Sequence, residues 1–290
     1  MRSLQWLAGS VLALTRLTVS PMALAAVVGL PLSALWTTAL AQTVRLNDTA
    51  QIDCYNATAS TGTVSTGTPD PEPAGFNEQD CTRGAAAADA LGRMVKVGGS
   101  TAPGRDYTKI ANDGSELPAS ATLGSGPSDW GCTRDNITGL IWEVKVDDVA
   151  NLRHVNHGYT WYDPNPAVNG GNPGTQAGTG CAGTLPNCNT TAYRDVVNAL
   201  TGPNRLCGAT DWRLPRGGEL SGLVHSGFVS SPAIDATWFP NTANSFYWSG
   251  ESYAPDADIA LGVSFSDGRF EAILAKGNNN PRVRLVRGGQ

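Results

Sequence analysis

Six cysteines, Cys54, Cys81, Cys132, Cys181, Cys188 and Cys207, set the first constraint on what this chain can fold into. Thiols stay reduced in a cytosol and pair in an oxidising space, so their meaning depends on the compartment. The N-terminus addresses the compartment. Arg2 and Arg16 are the only charged residues before a mostly apolar stretch that ends Ala39-Leu40-Ala41 ahead of Gln42. That pattern reads as a signal peptide, residues 1–41, with small residues at the cleavage site. Leu17 to Ala41 spans 25 residues, enough to cross a hydrocarbon core of about 30 Å, so an uncleaved anchor is the competing reading. Pro21 and Pro31 interrupt the stretch and favour cleavage after Ala41. No cysteine follows closely, so nothing points to a lipid anchor. In an exported chain an even number of cysteines reads as a set of disulfides. All fifteen pairings of six remain open. Proximity alone favours Cys54 with Cys81 and Cys181 with Cys188, which leaves Cys132 for Cys207. A structural zinc is the alternative, but no CxxC pair with a matching histidine cluster supports it.

Loss of residues 1–41 removes two arginines and no acid, so 18 basic side chains face 25 acidic ones, a net charge near −7. A phosphate-binding protein needs a positive footprint, which excludes nucleic acid as an expected partner. Once the leader is cleaved nothing points to a membrane partner either. The remaining length suits one large domain, or one domain with an elaborated N-terminal extension. Only 16% of residues are charged, while glycine and proline reach 34 and 18, a composition for a loop-rich fold and not for a helical bundle.

Residues 42–129 are rich in Thr, Ser, Ala, Gly and Pro and read as an irregular extension. From Trp130 apolar and aromatic density rises, which places the core domain at residues 130–290. Ile137 to Val146 alternates as a strand, with Leu140, Trp142, Val144 and Val146 on one face. Thr191 to Leu200 carries Tyr193, Val196, Val197 and Leu200 on one helical stripe before Gly202-Pro203. A second short helix follows Pro215, with Leu220, Leu223 and Val224 inward and Gly227 closing it. Strand patterns then occupy Phe246 to Ser249, Ile259 to Phe265, Phe270 to Ala275 and Val283 to Arg287. The fold class is α+β, two short helices on antiparallel sheet.

The same region carries a series of motifs: Thr138-Gly139-Leu140-Ile141-Trp142-Glu143, Cys207-Gly208, Asp211-Trp212-Arg213-Leu214-Pro215, Glu219-Leu220, Pro232-Ala233-Ile234-Asp235, Phe239-Pro240, Tyr247-Trp248-Ser249 and Arg284-Leu285-Val286-Arg287-Gly288. In this order they resemble the Lcl C-terminal domain family, named after a collagen-like adhesin of Legionella. The Trp-Arg-Leu-Pro and Arg-Gly-Gly elements also resemble the formylglycine-generating branch of C-type-lectin-like folds. The resemblance implies a C-type-lectin-like domain that serves surface adhesion or ligand binding, with glycosaminoglycan binding known for the namesake. This chain has no repeat of glycine at every third position, so it lacks the sequence of the adhesin's trimeric stalk.

Motifs of this kind often hold a core together. Trp212 and Leu214 are expected inside, Arg213 is expected to tie loops together through its five donors, and Pro215 suits the first position of a helix. Trp142, Trp238 and Trp248 could stack on a sugar, but core packing explains Trp142 and Trp248 better. His154 and His157 stand three apart in what reads as a loop, without the glutamate of an HExxH site. His225 ends the second helix, where a cation near the carbonyl end is explanation enough. Ser226-Gly227 lacks the flanking glycine pattern of a nucleophile elbow. Formylglycine-generating chemistry depends on a late cysteine pair, and the last cysteine here is Cys207. No catalytic residue and no cofactor can be named, so the chain is expected not to be an enzyme.

The last forty residues carry the clearest functional signal. Between Tyr247-Trp248-Ser249 and the Arg284 motif lie Glu251, Ser252, Tyr253, Asp256, Asp258, Asp267, Arg269, Glu271, Lys276 and the triplet Asn278-Asn279-Asn280. Many are separated by one apolar residue, the spacing of a solvent-facing side of a strand. They are the expected ligand-binding residues, for a glycan or a protein at the cell surface. Some lectin-like proteins are diversified by retroelements in such a segment, and the resemblance implies that option here. Asp256, Asp258 and Asp267 do not match a dedicated calcium loop, so no metal is expected. The reading is therefore of a secreted or periplasmic recognition module of open oligomeric state. A structural envelope domain is the alternative, and an uncharacterised hydrolase a more distant one.

Overall fold

The computed structural model describes residues 47–49, 54, 91–98, 104–228 and 230–288, except for the side chains of residues 271–273. The expected signal peptide and Cys81 lie outside the described residues. Elements follow in the order β1 (Tyr107–Ala111), β2 (Glu116–Leu117), β3 (Trp130–Asp135), β4 (Ile141–Glu143), α1 (Thr190–Ala199), α2 (Gly217–Ser221), β5 (Phe246–Ser252), β6 (Ile259–Ser264), β7 (Phe270–Ala275) and β8 (Val286–Arg287). Short 3-10 turns at Gly202–Asn204 and Leu206–Gly208 link the two helices. The fold is α+β and loop-rich. It holds two sheets instead of one: five strands ordered β2-β1-β3-β4-β8 and three ordered β5-β6-β7. Every strand pair within them is antiparallel.

The stretch expected to be irregular thus supplies β1 and β2, and β1 pairs along the length of β3. All five residues of β1 are buried, Lys109 included, because its ammonium lies 3.9 Å from the Trp130 ring centroid and donates to the Ala121 carbonyl at 2.7 Å. The expected strand from Ile137 is shorter and starts at Ile141. Asp135 explains why: its Oδ1 accepts from the N–H groups of Ile137 at 2.8 Å and Thr138 at 3.2 Å, which forms an Asx-type turn. Gly139 completes the reversal at φ +72°, a left-handed conformation that glycine adopts without strain. Leu140, Trp142 and Val144 are buried as expected, whereas Val146 is only half-buried.

Helix α1 starts where Asn189 Oδ1 accepts from Ala192 N at 2.8 Å, an N-cap that satisfies a backbone donor of the first turn. Tyr193 and Val197 face the core, but Val196, about 60° round the helix from Tyr193 against about 40° for Val197, lies at the margin of the stripe and is 38% exposed. Helix α2 is five residues long and ends at Gly222, earlier than the expected Gly227. Leu220 and Leu223 are buried and Val224 is half-buried.

Two clusters of side chains form the interior. One gathers Tyr159, Trp161, Tyr193, Trp212 and Trp248 around two disulfides, Cys132–Cys207 and Cys181–Cys188. The bridge across 75 residues contributes about 4 kcal/mol by chain entropy, the bridge across 7 about 2 kcal/mol. Cys54 is buried and disulfide-bonded, while its expected pairing with Cys81 falls outside the described residues. The second cluster packs Tyr107, Trp142, Leu220, Trp238, Phe239, Tyr247, Val263 and Phe265. Trp142, Trp238 and Trp248 are all at most 2% exposed, so none of them offers a stacking platform to a sugar.

An ionic node lies inside as well. Glu143 accepts from Lys145 Nζ at 2.9 Å, from the Tyr193 hydroxyl through a short hydrogen bond, and from Leu285 N at 2.9 Å. Burial works to raise the Glu143 carboxyl, yet the charges of Lys145 and Arg153 and these hydrogen bonds outweigh it and hold it below the usual range. Burial lowers Lys145 to about 8 against the pull of Glu143. Arg284, fully buried, ties the node to the loop after Phe239, donating to the Glu143 carbonyl at 2.6 Å and to Thr242 Oγ1 at 2.7 Å.

Candidate functional site

The second cluster runs out at the N-terminal end of α2, and the site begins there. Along β5 and β6, Tyr247 and Val263 sit under Leu220 and Leu223, where α2 packs on the three-stranded sheet. A helix of one and a half turns covers only part of a sheet face. Beyond it an open groove of about 790 Å³ remains, lined by Leu214, Pro215, Leu261 and Phe270, with Val168, Arg216 and residues 251–255 around the rim. Phe270 is 50% exposed and Val168 44%, the two large apolar side chains that the groove presents to solvent most openly.

Its charged groups are largely committed. Arg213 forms a two-pronged pair with Glu219, 2.7 Å on each arm, and donates to the Gly288 carbonyl at 3.1 Å. Burial raises the Glu219 carboxyl, but Arg213 and the Arg216 N–H at 2.7 Å more than offset this and leave it lowered. Glu251 Oε2 accepts from Gly217 N at 2.7 Å. A Cβ on Gly217 would stand 2.5 Å from Phe270 Cε2 and 3.0 Å from Glu251 Oε2, so a side chain there would displace the Phe270 ring. Arg216 is exposed, and its guanidinium pairs with no carboxylate among the described residues. The result is a largely apolar trough with the exposed Arg216 guanidinium and the Glu251 carboxylate on its lining.

A family model, the Lcl C-terminal domain, matches residues 131–287, more than half of the chain. The chain belongs to the Lcl C-terminal domain family. Membership makes it an adhesin-like module in general terms. Compared with curated proteins and with solved structures, the chain matches none. The matched segment of this Lcl C-terminal domain holds both helices, β3 from its second residue and the strands β4 to β8, whereas β1 and β2 lie before it and still complete the five-stranded sheet.

The residues expected to share one binding face are distributed over several places. Glu251, Ser252 and Tyr253 line the groove. Asp256 and Asp258 are exposed between β5 and β6, where Asp256 Oδ1 accepts from Asp258 N at 3.0 Å. Asp267 and Arg269 pair at 2.6 Å in the β6–β7 turn. Glu271 stands opposite Gly262 on β7, and its side chain lies outside the described ones. Asn278 Oδ1 accepts from Asn280 N at 3.0 Å, and Asn279 donates to Thr179 Oγ1 at 3.5 Å. Lys276 departs from expectation altogether. It is 2% exposed, with Nζ donating to the carbonyls of Asn169 at 2.8 Å and Asn172 at 2.6 Å. Alternation placed it outward, but it lies past the last residue of β7, where strand periodicity no longer applies.

Phe270, Leu214, Pro215, Leu261, Arg216 and Val168 were not among the expected ligand residues. The Trp-Arg-Leu-Pro motif flags Leu214 and Pro215, since it continues directly into α2, but no local pattern marks Val168. His154 and His157 are buried, with ring centroids 5.0 Å apart, and His157 Nε2 lies 3.1 Å from the Val149 carbonyl. Among the described residues no three His, Cys, Asp or Glu side chains are grouped to hold a metal ion, and no helix is long and apolar enough to cross a membrane.

Proposed function

We propose that this Lcl C-terminal domain is an exported recognition module that binds a glycan or protein ligand of a cell surface in the groove beside α2, without turnover. The observation that carries the reading is the open, largely apolar groove with Phe270 and Tyr253 at its edge and Arg216 and Glu251 within reach. Apolar concavities with a few directed polar groups are the usual form of a ligand site. Aromatic and arginine side chains supply most of the affinity at recognition surfaces. Family membership supports adhesion in general, and the disulfides suit an oxidising space outside the cytosol. The same reading takes the paired sheets as a C-type-lectin-like architecture.

The mature chain, applied to a glycan array that includes heparin and to a peptide array, is expected to bind a defined subset that Phe270→Asp abolishes. Silence on both arrays, together with co-purification of an envelope partner, overturns the reading in favour of a structural role. Retroelement diversification is a finer part of the proposal. A near-copy of the DNA for residues 247–290, differing only at adenines and lying beside a reverse transcriptase gene, establishes it, and a genome without one removes it.

A further inference from the structure

The rim that carries Val168 belongs to a loop spanning residues 163–174. This loop has no regular secondary structure, yet it is tied at many points. Asp163 N donates to Pro173 O at 2.9 Å, closing its base, and Asn169 Nδ2 donates to Asp163 O at 3.1 Å. Val168 N and Asn169 N both donate to the Asn165 carbonyl at 3.1 Å, so the backbone at Val168 follows the position of Asn169. The ties to the rest of the molecule come from three residues expected on the exposed face. Ser252 Oγ donates to Asn169 O at 3.1 Å, Asp258 Oδ1 accepts from Asn172 Nδ2 at 2.5 Å, and Lys276 Nζ donates to both Asn169 O and Asn172 O.

Lys276 is the centre of this arrangement. Its ammonium lies 4.3 Å from the centroid of the buried Trp161 ring. Its own backbone is fixed on both sides, with N donating to Asp258 O and O accepting from Trp161 N, each at 2.9 Å. Among the described residues no carboxylate forms a salt bridge with it. A buried cation satisfied by two carbonyls and a ring is costly unless those partners stay in place. Loss of the charge leaves the Asn172 carbonyl without its side-chain donor and the Asn169 carbonyl with Ser252 Oγ and Asn172 N alone. The lysine and the loop therefore hold each other in one geometry.

We propose that Lys276 is a positioning residue of the groove: by holding the carbonyls of Asn169 and Asn172 it fixes the rim that carries Val168 and so sets what the groove admits. This rests on the groove being the recognition site. The ligand itself need not touch Lys276.

The test uses the full mature chain. Hydrogen exchange is followed at the amides of residues 165–172, and a naphthalene sulfonate dye probes the groove. Lys276→Met keeps the aliphatic stem and removes the donors. The expected result is exchange at least roughly tenfold faster in the loop, with β5 and β6 unchanged, and a shifted dye Kd. Lys276→Arg restores part of the protection. Asp258→Ala alters only an exposed side chain and loosens the same loop to a smaller extent, which keeps the proposal testable if the methionine variant does not fold. Unchanged loop exchange in either folded variant overturns the proposal, as does a loosened loop with an unchanged dye Kd. Failure of the groove reading shows separately, as dye binding insensitive to Phe270→Asp in the wild-type background.

Discussion

Lys145 and Lys276 are both nearly inaccessible, 1% exposed for the side chain of the first and 2% for the second, and each lies about one ring-width from an aromatic face. Their partners differ. Lys145 pairs with the carboxylate of Glu143 and donates to the Tyr193 hydroxyl, within a node that also engages Leu285 and, through the Glu143 carbonyl, Arg284. Lys276 donates to two carbonyls of one surface loop. The first is enclosed by elements that cannot move without opening the interior. The second joins the three-stranded sheet to a segment with water on its other side. Burial alone thus does not tell a stabilising cation from one that shapes a site, and the nature of the partner does.

This contrast fixes the order of expected effects. Glu143→Ala should be the most damaging, about 3–5 kcal/mol in urea unfolding, since it strands the Lys145 ammonium in the interior. Dye binding at the groove should survive in the fraction that remains folded. Lys276→Met should cost less, about 1–3 kcal/mol, because the Asn172 carbonyl it frees can turn to water as the loop relaxes while Asn169 keeps Ser252 as a donor. Equal losses for the two variants would break the comparison.

A smaller effect concerns His157. Burial, together with the charges of His154 and Lys145, lowers its pKa from 6.5 against the contact of Nε2 with the Val149 carbonyl. The unfolded chain then binds a proton at a pH where the folded one does not. Stability is fully present above pH 6.5 and is lost as pH falls from there toward the lowered folded value. The melting temperature should drop between about pH 7.5 and about pH 5.5, and His157→Gln should flatten that slope. An identical slope in the variant would remove His157 from the account.

Much of the fold was legible where local signals agreed with tertiary packing. Tyr193 and Val197 marked α1, and the runs from Phe246, Ile259 and Phe270 marked the three-stranded sheet through their density of apolar and aromatic residues, which in β5 and β6 are buried at consecutive positions. β1 escaped notice since all five of its residues are buried, which erases alternation, and since Lys109 reads as exposed until Trp130 is placed over it. The candidate groove was legible in part. Glu251, Ser252 and Tyr253 do line the groove, but Val168 reaches it through a loop whose position is set by residues more than 80 positions away. Lys276 reads as solvent-facing because a polar residue after a strand looks exposed until the carbonyls that satisfy it are known.

Recognition in the groove beside α2 is what a single substitution can decide. Side-by-side binding of the wild-type mature chain and Phe270→Asp to the same glycan and peptide arrays tests it most directly, with circular dichroism confirming that both are folded. The variant should lose at least roughly tenfold in affinity for every ligand of the wild type, since it places a charge on the most exposed apolar surface of the groove. Equal binding by the two proteins would contradict it.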